Sequence, residues 1–307
     1  MTQDPSILLC PGQGAQYSGM GRDWARQHEA AAETYRHADE VLDLDVSKVC
    51  FDGPQERIDD TDVAQVCIYV TSVACVRALE QAGAYDDAAL VATAGLSLGE
   101  YTALHLAGVF SFEQGLHLVA KRGKYMQEAA EQSNSGMVAL VGVDEPQAEQ
   151  LCEAAREGDV LVPANFNCPG QVVVSGSDAA CRRALAEAEQ RGIRATALNV
   201  AGAFHSPLMA SAAERMAEAL HQAELNPPQT TVLSNVTGEP HNDDVDTIRD
   251  LLVKQITQPV RWEQNVRWLL EHVSGRYIEP APGKVLRGLL RRIDRSIRVE
   301  NFDQPPE

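Results

Sequence analysis

The chain has 307 residues, of which 44% are hydrophobic and 23% charged, a balance that can fill the core of one large or two modest domains. Its formal net charge of −18 argues against a nucleic-acid binder and against attachment to an anionic membrane surface. The seven cysteines include no C-x-x-C pair, which indicates reduced core thiols in a cytoplasmic protein. We expect neither a signal peptide nor an apolar stretch of about 18 residues that could cross a membrane.

The first part of the chain alternates between short apolar runs and helical patterns. Strands are predicted at residues 7–10 and 90–94, and helices at 22–42, 62–82, 100–107 and 112–132. Asp62 with Gln65 three residues later resembles a capping box at the start of the second helix. Alternation of this kind predicts an α/β fold with a mostly parallel sheet.

A different order follows in the middle of the chain. Strands are predicted at residues 137–143, 160–166, 171–175 and 194–200, and helices at 145–157 and 178–191. This order, βαββαβ, is that of the ferredoxin-like unit. We therefore predict a small ferredoxin-like subdomain at residues 136–198, inserted into a large α/β subdomain made of residues 1–135 and 199–307.

The pentapeptide Gly95-Leu96-Ser97-Leu98-Gly99 has the G-x-S-x-G form of a nucleophile elbow. It lies between a predicted strand and a predicted helix, which is the context that this motif requires. The glycines permit a tight turn, and the N–H of Leu98 at the start of the helix points at developing negative charge. The pattern favours a nucleophilic Ser97, although a glycine-rich turn that happens to hold a serine would look the same.

A serine nucleophile needs a base, and the chain has eight histidines. His205 stands in a turn of small residues directly after a predicted strand, and such a loop can deliver an imidazole to the rim of a sheet. A helix-capping or core histidine is equally compatible with this position, whereas His241 is expected at the surface. No acidic residue lies near His205 in the sequence, so a dyad oriented by a backbone carbonyl is possible, and a distant triad partner stays open.

Arg122 lies on a predicted helix among the apolar residues Val119, Ala120 and Met126, which indicates partial burial. A buried arginine needs an anionic partner, and a substrate carboxylate would bind its guanidinium with two hydrogen bonds. A solvated arginine is the simpler alternative. Gly12-Gln13-Gly14 lacks the full dinucleotide-binding pattern, and no motif for a metal site occurs.

Seven short segments stand in order along the chain. They are Pro11-Gly12-Gln13-Gly14-Ala15-Gln16, Gly95-Leu96-Ser97-Leu98-Gly99-Glu100-Tyr101, Arg122-Gly123 before Met126-Gln127, Asn165-Phe166-Asn167-Cys168-Pro169-Gly170-Gln171, Ala203-Phe204-His205-Ser206, Gln255-Ile256-Thr257-Gln258-Pro259-Val260-Arg261-Trp262 and Pro282-Gly283-Lys284-Val285-Leu286. In order and spacing they resemble the malonyl-CoA:acyl carrier protein transacylase family over nearly the whole chain.

The resemblance implies a hydrolase-like α/β core with an inserted ferredoxin-like subdomain and an active site in the cleft between them. It implies that Ser97 attacks the malonyl thioester and that His205 accepts and later returns the proton. The N–H groups of Gln13 and Leu98 would hold the oxyanion. Gln255 lies in the segment whose backbone carbonyl orients the histidine in family members.

The resemblance also implies how malonate is selected. Arg122 would bind its free carboxylate, Asn165 would contribute to substrate binding, and Phe204 would crowd an α-methyl branch. Leu96 departs from the family, which usually carries histidine directly before the nucleophile, and this puts the fine geometry of Ser97 in doubt. No cofactor or metal is implied, because malonyl-CoA and the carrier protein are substrates.

The stretch at residues 276–298 is rich in arginine, and Arg287, Arg291 and Arg292 within it are candidates for docking an acidic acyl carrier protein. A solvated basic helix face is the alternative. We expect a cytoplasmic monomer that serves fatty-acid synthesis. The rival functions are a malonyltransferase that serves a polyketide synthase, an acyl hydrolase on the same scaffold and an inactive docking subunit.

Overall fold

The computed structural model describes residues 4–306. The strands are β1 (Ser6–Cys10), β2 (Leu90–Gly95), β3 (Ser135–Val141), β4 (Leu161–Cys168), β5 (Gln171–Ser177), β6 (Arg194–Ala197), β7 (Thr231–Val232), β8 (Arg276–Pro280) and β9 (Val299–Phe302). The helices are α1 (Arg22–Gln27), α2 (Glu29–Val41), α3 (Val46–Asp52), α4 (Gln55–Asp59), α5 (Thr61–Gln81), α6 (Gly99–Leu106), α7 (Phe112–Glu131), α8 (Glu145–Arg156), α9 (Asp178–Gln190), α10 (Ala210–His221), α11 (Val245–Gln255), α12 (Trp262–His272) and α13 (Val285–Ile293). Two 3₁₀ turns lie at Asp87–Ala89 and Pro207–Met209.

A five-stranded sheet of order β7-β2-β1-β8-β9 forms the larger half of the molecule, and every pairing in it is parallel. The central strand β1 is buried along its whole length, as expected for a sheet covered on both faces. The prediction of a mostly parallel sheet is confirmed. Cys10 and Gly95, the last residues of β1 and β2, are register partners, so the loops that follow these strands lie side by side.

A second sheet of order β4-β5-β3-β6 is antiparallel throughout and carries α8 and α9. Its element order is βαββαβ, and the prediction of a ferredoxin-like unit is confirmed. It has its own core, which includes Leu140, Leu151 and Ala184. Backbone hydrogen bonds that join it to the larger half include those from Phe166 N to Val260 O (2.9 Å) and from Val260 N to Ala164 O (2.8 Å). The exact subdomain boundaries stay a prediction.

Helix α5 contradicts the expectation that the chain has no long apolar stretch. By length and composition it could cross a membrane, yet most of it is buried inside the protein, where it packs against α2 and α7. It is therefore the core helix of this fold. All seven cysteines are buried and unpaired, which agrees with the prediction of reduced core thiols.

Two local predictions about helices are wrong. The single helix predicted at residues 22–42 is interrupted at His28, whose backbone is extended (φ −130°, ψ 121°) and whose N–H closes α1 on the carbonyl of Trp24. The capping box at Asp62 is also absent. Helix α5 begins one residue earlier, with Asp60 at its N-cap, and the Gln65 side chain instead accepts a hydrogen bond from Arg122.

Candidate active site

Ser97 occupies the turn between β2 and α6 and has a left-handed backbone (φ 53°) that a non-glycine residue rarely adopts. The turn is tight, because a Cβ atom at Gly95 would overlap the backbone of Gly99, and one at Gly99 would overlap that of Cys10. The Ser97 N–H donates to Asn235 Oδ1 (2.6 Å), which holds the strained turn in place. The side chain lines the cleft described below.

His205 lies next to Ser97 although 108 residues separate them in the chain. Its Nε2 is 2.8 Å from Ser97 Oγ, and its Nδ1 is 2.7 Å from the backbone oxygen of Gln255. Since a carbonyl oxygen only accepts, Nδ1 carries the hydrogen and Nε2 is left to accept the Ser97 proton. Burial, and then the positive charge of Arg122, lower the pKa of His205 to about 4, so the imidazole is neutral at pH 7.

The Arg122 side chain projects from α7 and is buried, with 1% of its surface exposed. Its guanidinium donates to Gln65 Oε1 (2.6 Å), to Ser97 Oγ (3.0 Å) and to Gln255 Oε1 (2.8 Å). All three acceptors are neutral oxygens. A substrate carboxylate that entered beside Ser97 would therefore meet a buried cation whose present partners are weaker acceptors than a carboxylate.

Two backbone N–H groups are available to an oxyanion. Within residues 4–306 neither the Gln13 N–H nor the Leu98 N–H donates a hydrogen bond to the protein. Gln13 follows β1 and Leu98 follows Ser97, so the adjacent ends of β1 and β2 bring both donors to the cleft. Leu96, the departure from the family pattern, lines the cleft and packs against an apolar cluster that includes Ala92, and its backbone still bonds to Cys10 O and Gly99 N.

A cleft of about 400 Å³ lies over Ser97 and takes its lining from both sheets. Asn165 of β4 and Phe204, the residue before His205, face it. The antiparallel part contributes further apolar and amide side chains, namely Met137, Asn167, Gln171, Val173 and Leu198, and the adjoining Asn199 and Val200 extend this wall.

Sequence reasoning missed four polar side chains behind the nucleophile, namely Gln65, Glu100, Asn235 and His241. The expectation of a surface position for His241 is wrong, because its side chain is fully buried and its Nε2 lies 2.7 Å from Glu100 Oε1. Glu100 follows the elbow directly, and that position is the one available signal. Nothing in the sequence around His241 indicates burial, because its side-chain partner Glu100 is 141 positions away.

The candidate docking residues Arg287, Arg291 and Arg292 are exposed on α13. None of them makes an ion pair within the part of the chain that the structure describes, and Arg292 donates to Gln171 Oε1 (3.0 Å). The same helix contributes Val285 and Leu289 to the rim of the cleft. Among residues 4–306 no three His, Cys, Asp or Glu side chains are grouped as a metal site.

The family described as "Acyl transferase domain" matches residues 7–300. The chain belongs to this acyl transferase family. It is 38% identical to the malonyl CoA-acyl carrier protein transacylase of Escherichia coli strain K12, over 99% of this chain and 97% of that protein. The solved structure of the malonyl CoA-acyl carrier protein transacylase from Coxiella burnetii has a TM-score of 0.94 at 36% identity, covering 98% of this chain and 95% of the other.

A further solved structure holds a malonyl-transacylase in complex with its type II PKS acyl-carrier protein. It has a TM-score of 0.93 at 34% identity and covers 98% of this chain and 96% of that one. Among these similar proteins, the acyl transferase fold is therefore seen with a carrier protein bound.

Proposed function

We propose that this protein transfers a malonyl group from malonyl-CoA to the phosphopantetheine thiol of an acyl carrier protein, through an acyl-enzyme on Ser97. The proposal rests on the two groups that surround the hydroxyl oxygen of Ser97. Ser97 Oγ lies 2.8 Å from His205 Nε2 and 3.0 Å from Arg122 Nη2. A nucleophile, its base and a cation suited to a carboxylate therefore meet at a single point.

In the first half-reaction, Ser97 Oγ attacks the thioester carbonyl while His205 Nε2 takes the hydroxyl proton. The oxyanion of the tetrahedral intermediate accepts hydrogen bonds from the N–H groups of Gln13 and Leu98. One such donor typically raises the rate by a factor of about 10²–10³. The C–S bond then breaks, and His205 returns the proton to the departing CoA thiolate. Malonyl is left as an ester on Ser97.

The second half-reaction reverses these steps with a different thiol. The phosphopantetheine thiol gives its proton to His205 and attacks the Ser97 ester, and the same two N–H groups hold the oxyanion. The bond between the acyl carbon and Ser97 Oγ then breaks, and the proton returns to Ser97 Oγ. No electron transfer or extra co-reactant is required. The reaction therefore proceeds without a metal or an organic cofactor.

Arg122 links substrate choice to the strength of the base. Its positive charge is one cause of the low pKa of His205. A malonyl carboxylate bound to Arg122 offsets that charge, so the basicity of His205 rises when the correct substrate is present. A neutral acyl group provides no such compensation and leaves the buried cation without its anionic partner.

Two further residues refine substrate choice. The Phe204 ring faces the cleft beside His205, so it would crowd an α-methyl branch and disfavour methylmalonyl. One methyl group is worth only ~1–3 kcal/mol in a pocket, so this preference is graded. Asn165 offers an amide to the acyl chain or the thioester from the opposite wall.

The exposed arginines of α13, among them Arg287 and Arg291, form the proposed docking surface for the carrier protein. Their charge is opposite to that of an acidic carrier, and α13 borders the cleft through Val285 and Leu289. We place the enzyme in the cytoplasm as a monomer that serves fatty-acid synthesis. The alternative is transfer to a polyketide carrier protein, which is the kind of carrier bound in the similar structure described above.

The test is intact mass spectrometry of the protein mixed separately with malonyl-CoA, acetyl-CoA and methylmalonyl-CoA, with Ser97→Ala as the control. We expect a malonyl adduct on the wild type alone, and we expect holo-carrier protein to discharge it faster than water does. An adduct lost to water as fast as to carrier would favour the hydrolase. No adduct from any acyl-CoA would refute the covalent mechanism and favour an inactive docking subunit.

A further inference from the structure

Arg122 is a buried cation that has no direct ion pair. No carboxylate lies within 4 Å of it in the described chain, and its guanidinium bonds only to neutral oxygens. Its Nε is buried and has no hydrogen-bond partner among residues 4–306. Because an isolated buried charge costs several kcal/mol, a negative charge is expected close by.

Glu100 can supply this negative charge, because its carboxylate is buried and has no exposed surface. Its Oε2 accepts from the Gln255 amide (2.7 Å) and from the Asn235 backbone N–H (3.1 Å), while its Oε1 lies 2.7 Å from His241 Nε2. The Gln255 amide and the Asn235 backbone N–H are donors of the kind that an ionised carboxylate needs, since it can only accept, and beside such a carboxylate His241 Nε2 carries the hydrogen.

The side chain of Gln255 connects the two charges. Its amide oxygen accepts from Arg122, and its amide nitrogen donates to Glu100 and to the backbone oxygen of Ser97 (2.9 Å). The amide dipole therefore points its negative end at the cation and its positive end at the anion. One hydrogen-bonded amide separates the positive charge from the negative one.

The charges of the neighbouring groups support this pairing. Burial lowers the pKa of Arg122, and the negative charge of Glu100 opposes that effect. The ring of Tyr101 also lies close to Arg122, but burial raises the pKa of its hydroxyl far above neutrality, so it carries no charge. Glu100 is thus the buried carboxylate that can compensate Arg122 when no substrate is bound.

We propose that Glu100 is the internal counter-ion of Arg122 and a positioning residue for malonyl specificity, acting through the Gln255 amide. The inference rests on the proposed function, because it concerns the same carboxylate site. Because the Gln255 amide lies between them, Glu100 compensates the charge of Arg122 without occupying its guanidinium, whose neutral partners a substrate carboxylate can displace. Its negative charge also weakens the hold of Arg122 on the malonyl group, which must be passed on.

The test substitutes Glu100→Gln, which keeps the shape and removes the charge. The new amide oxygen can accept from Gln255 and Asn235, and its NH₂ can face His241, whose Nε2 accepts in the tautomer that carries its hydrogen on Nδ1. We expect acylation to favour malonyl-CoA over acetyl-CoA about tenfold more strongly than in the wild type. Discharge of the malonyl-enzyme to a thiol should slow by a similar factor, while acetyl transfer changes by less than about threefold.

Glu279→Gln is the matched control, because Glu279 is equally buried and accepts N–H bonds from Leu286, Arg287 and Asn301 without touching this network. It should leave the preference between malonyl and acetyl unchanged. Equal losses of malonyl and acetyl transfer in Glu100→Gln would show a merely structural role and overturn the proposal.

Stability provides a second, independent measurement if Glu100→Gln folds poorly. Arg122→Met removes the cation, so the double variant has neither charge. We expect the melting temperature of the double variant to fall by less than the sum of the decreases seen in the two single variants. Additive losses would refute the coupling. This cycle needs no substrate, so it stays informative even if the wild type forms no malonyl adduct and the proposed function fails.

Discussion

The two sheets contribute to the site in different ways. The five parallel strands end at one edge, and the loops after β1 and β2 bring Gln13, Ser97 and Leu98 to that edge. The antiparallel strands run in alternate directions, so their ends do not converge. That sheet offers a face instead, and it places in the cleft the apolar side chains of Met137 and Val173 together with the amides of Asn165, Asn167 and Gln171.

This difference indicates that the parallel sheet positions the reacting groups and that the antiparallel sheet shapes the cleft. Convergent strand ends and a following helix bring backbone N–H groups and a strained serine to the same part of the cleft. A sheet face supplies a wall that excludes water and limits the size of the acyl group. We therefore expect substitutions at the parallel edge to change rates far more than substitutions on the antiparallel face.

The largest expected contrast is between two serines. Ser97→Ala removes the nucleophile and should lower malonyl transfer by at least about 10⁴-fold. Ser175→Ala, in β5 of the antiparallel sheet, removes a buried hydroxyl that has no hydrogen-bond partner in the described chain, and it should change the rate by less than about threefold. Steady-state transfer to holo-carrier protein measures both. A comparable loss in the two variants would break the comparison between the sheets.

Arg122→Met should lower kcat/KM for malonyl-CoA by about 10²–10⁴-fold, because each hydrogen bond to a charged group is worth roughly 1.5–3 kcal/mol. Acetyl-CoA has no carboxylate, so its much slower reaction should change little. Parallel acylation assays with the two thioesters measure the ratio. If both substrates lost the same factor, Arg122 would support the fold rather than select the acyl group.

Asn165→Ala tests the antiparallel side directly. One neutral hydrogen bond contributes about 0.5–1.5 kcal/mol, so kcat/KM for malonyl-CoA should fall by roughly 2–10-fold. The cleft and the pair formed by Ser97 and His205 should stay intact, which an unchanged melting temperature would support. A loss as large as that expected for Arg122→Met would show that the antiparallel sheet carries chemistry as well as shape.

The smallest expected effect is that of mild acid. With the pKa of His205 at about 4, kcat/KM for malonyl-CoA at pH 5.5 should nearly equal that at pH 7.5. An ordinary histidine of pKa near 6.5 would lose about tenfold over this range. Arg122→Met removes one cause of the low pKa and should move the midpoint upward. A wild-type midpoint at 6.5 or above would contradict the buried, cation-facing base.

The same pKa sets a stability window. Because the folded-state pKa of His205 lies below its ordinary value, protonation opposes folding. The corresponding stability is present above about pH 6.5 and is lost as the pH falls toward 4. His105, whose pKa burial also lowers to about 4, acts in the same direction. Thermal melts recorded at the assay pH values separate this loss from an effect on catalysis.

The sequence alone determined the features that local patterns encode. Alternating apolar runs predicted both sheets and the βαββαβ order, and the pentapeptide around Ser97 predicted a strained turn between a strand and a helix. The capping-box pattern at Asp62 failed because Gln65 bonds to Arg122, a partner that the local pattern does not contain. The break at His28 was missed because the apolar spacing continues through it.

Only the tertiary structure decided how distant groups meet. It placed the Gln255 carbonyl against His205, and it joined Arg122 to Glu100 through the Gln255 amide. It also buried His241, whose sequence surroundings look like a surface turn. Periodicity reports which face of one element is apolar. The pairing of buried charges depends on which elements pack together, and such contacts between separate segments leave no periodic trace in the sequence.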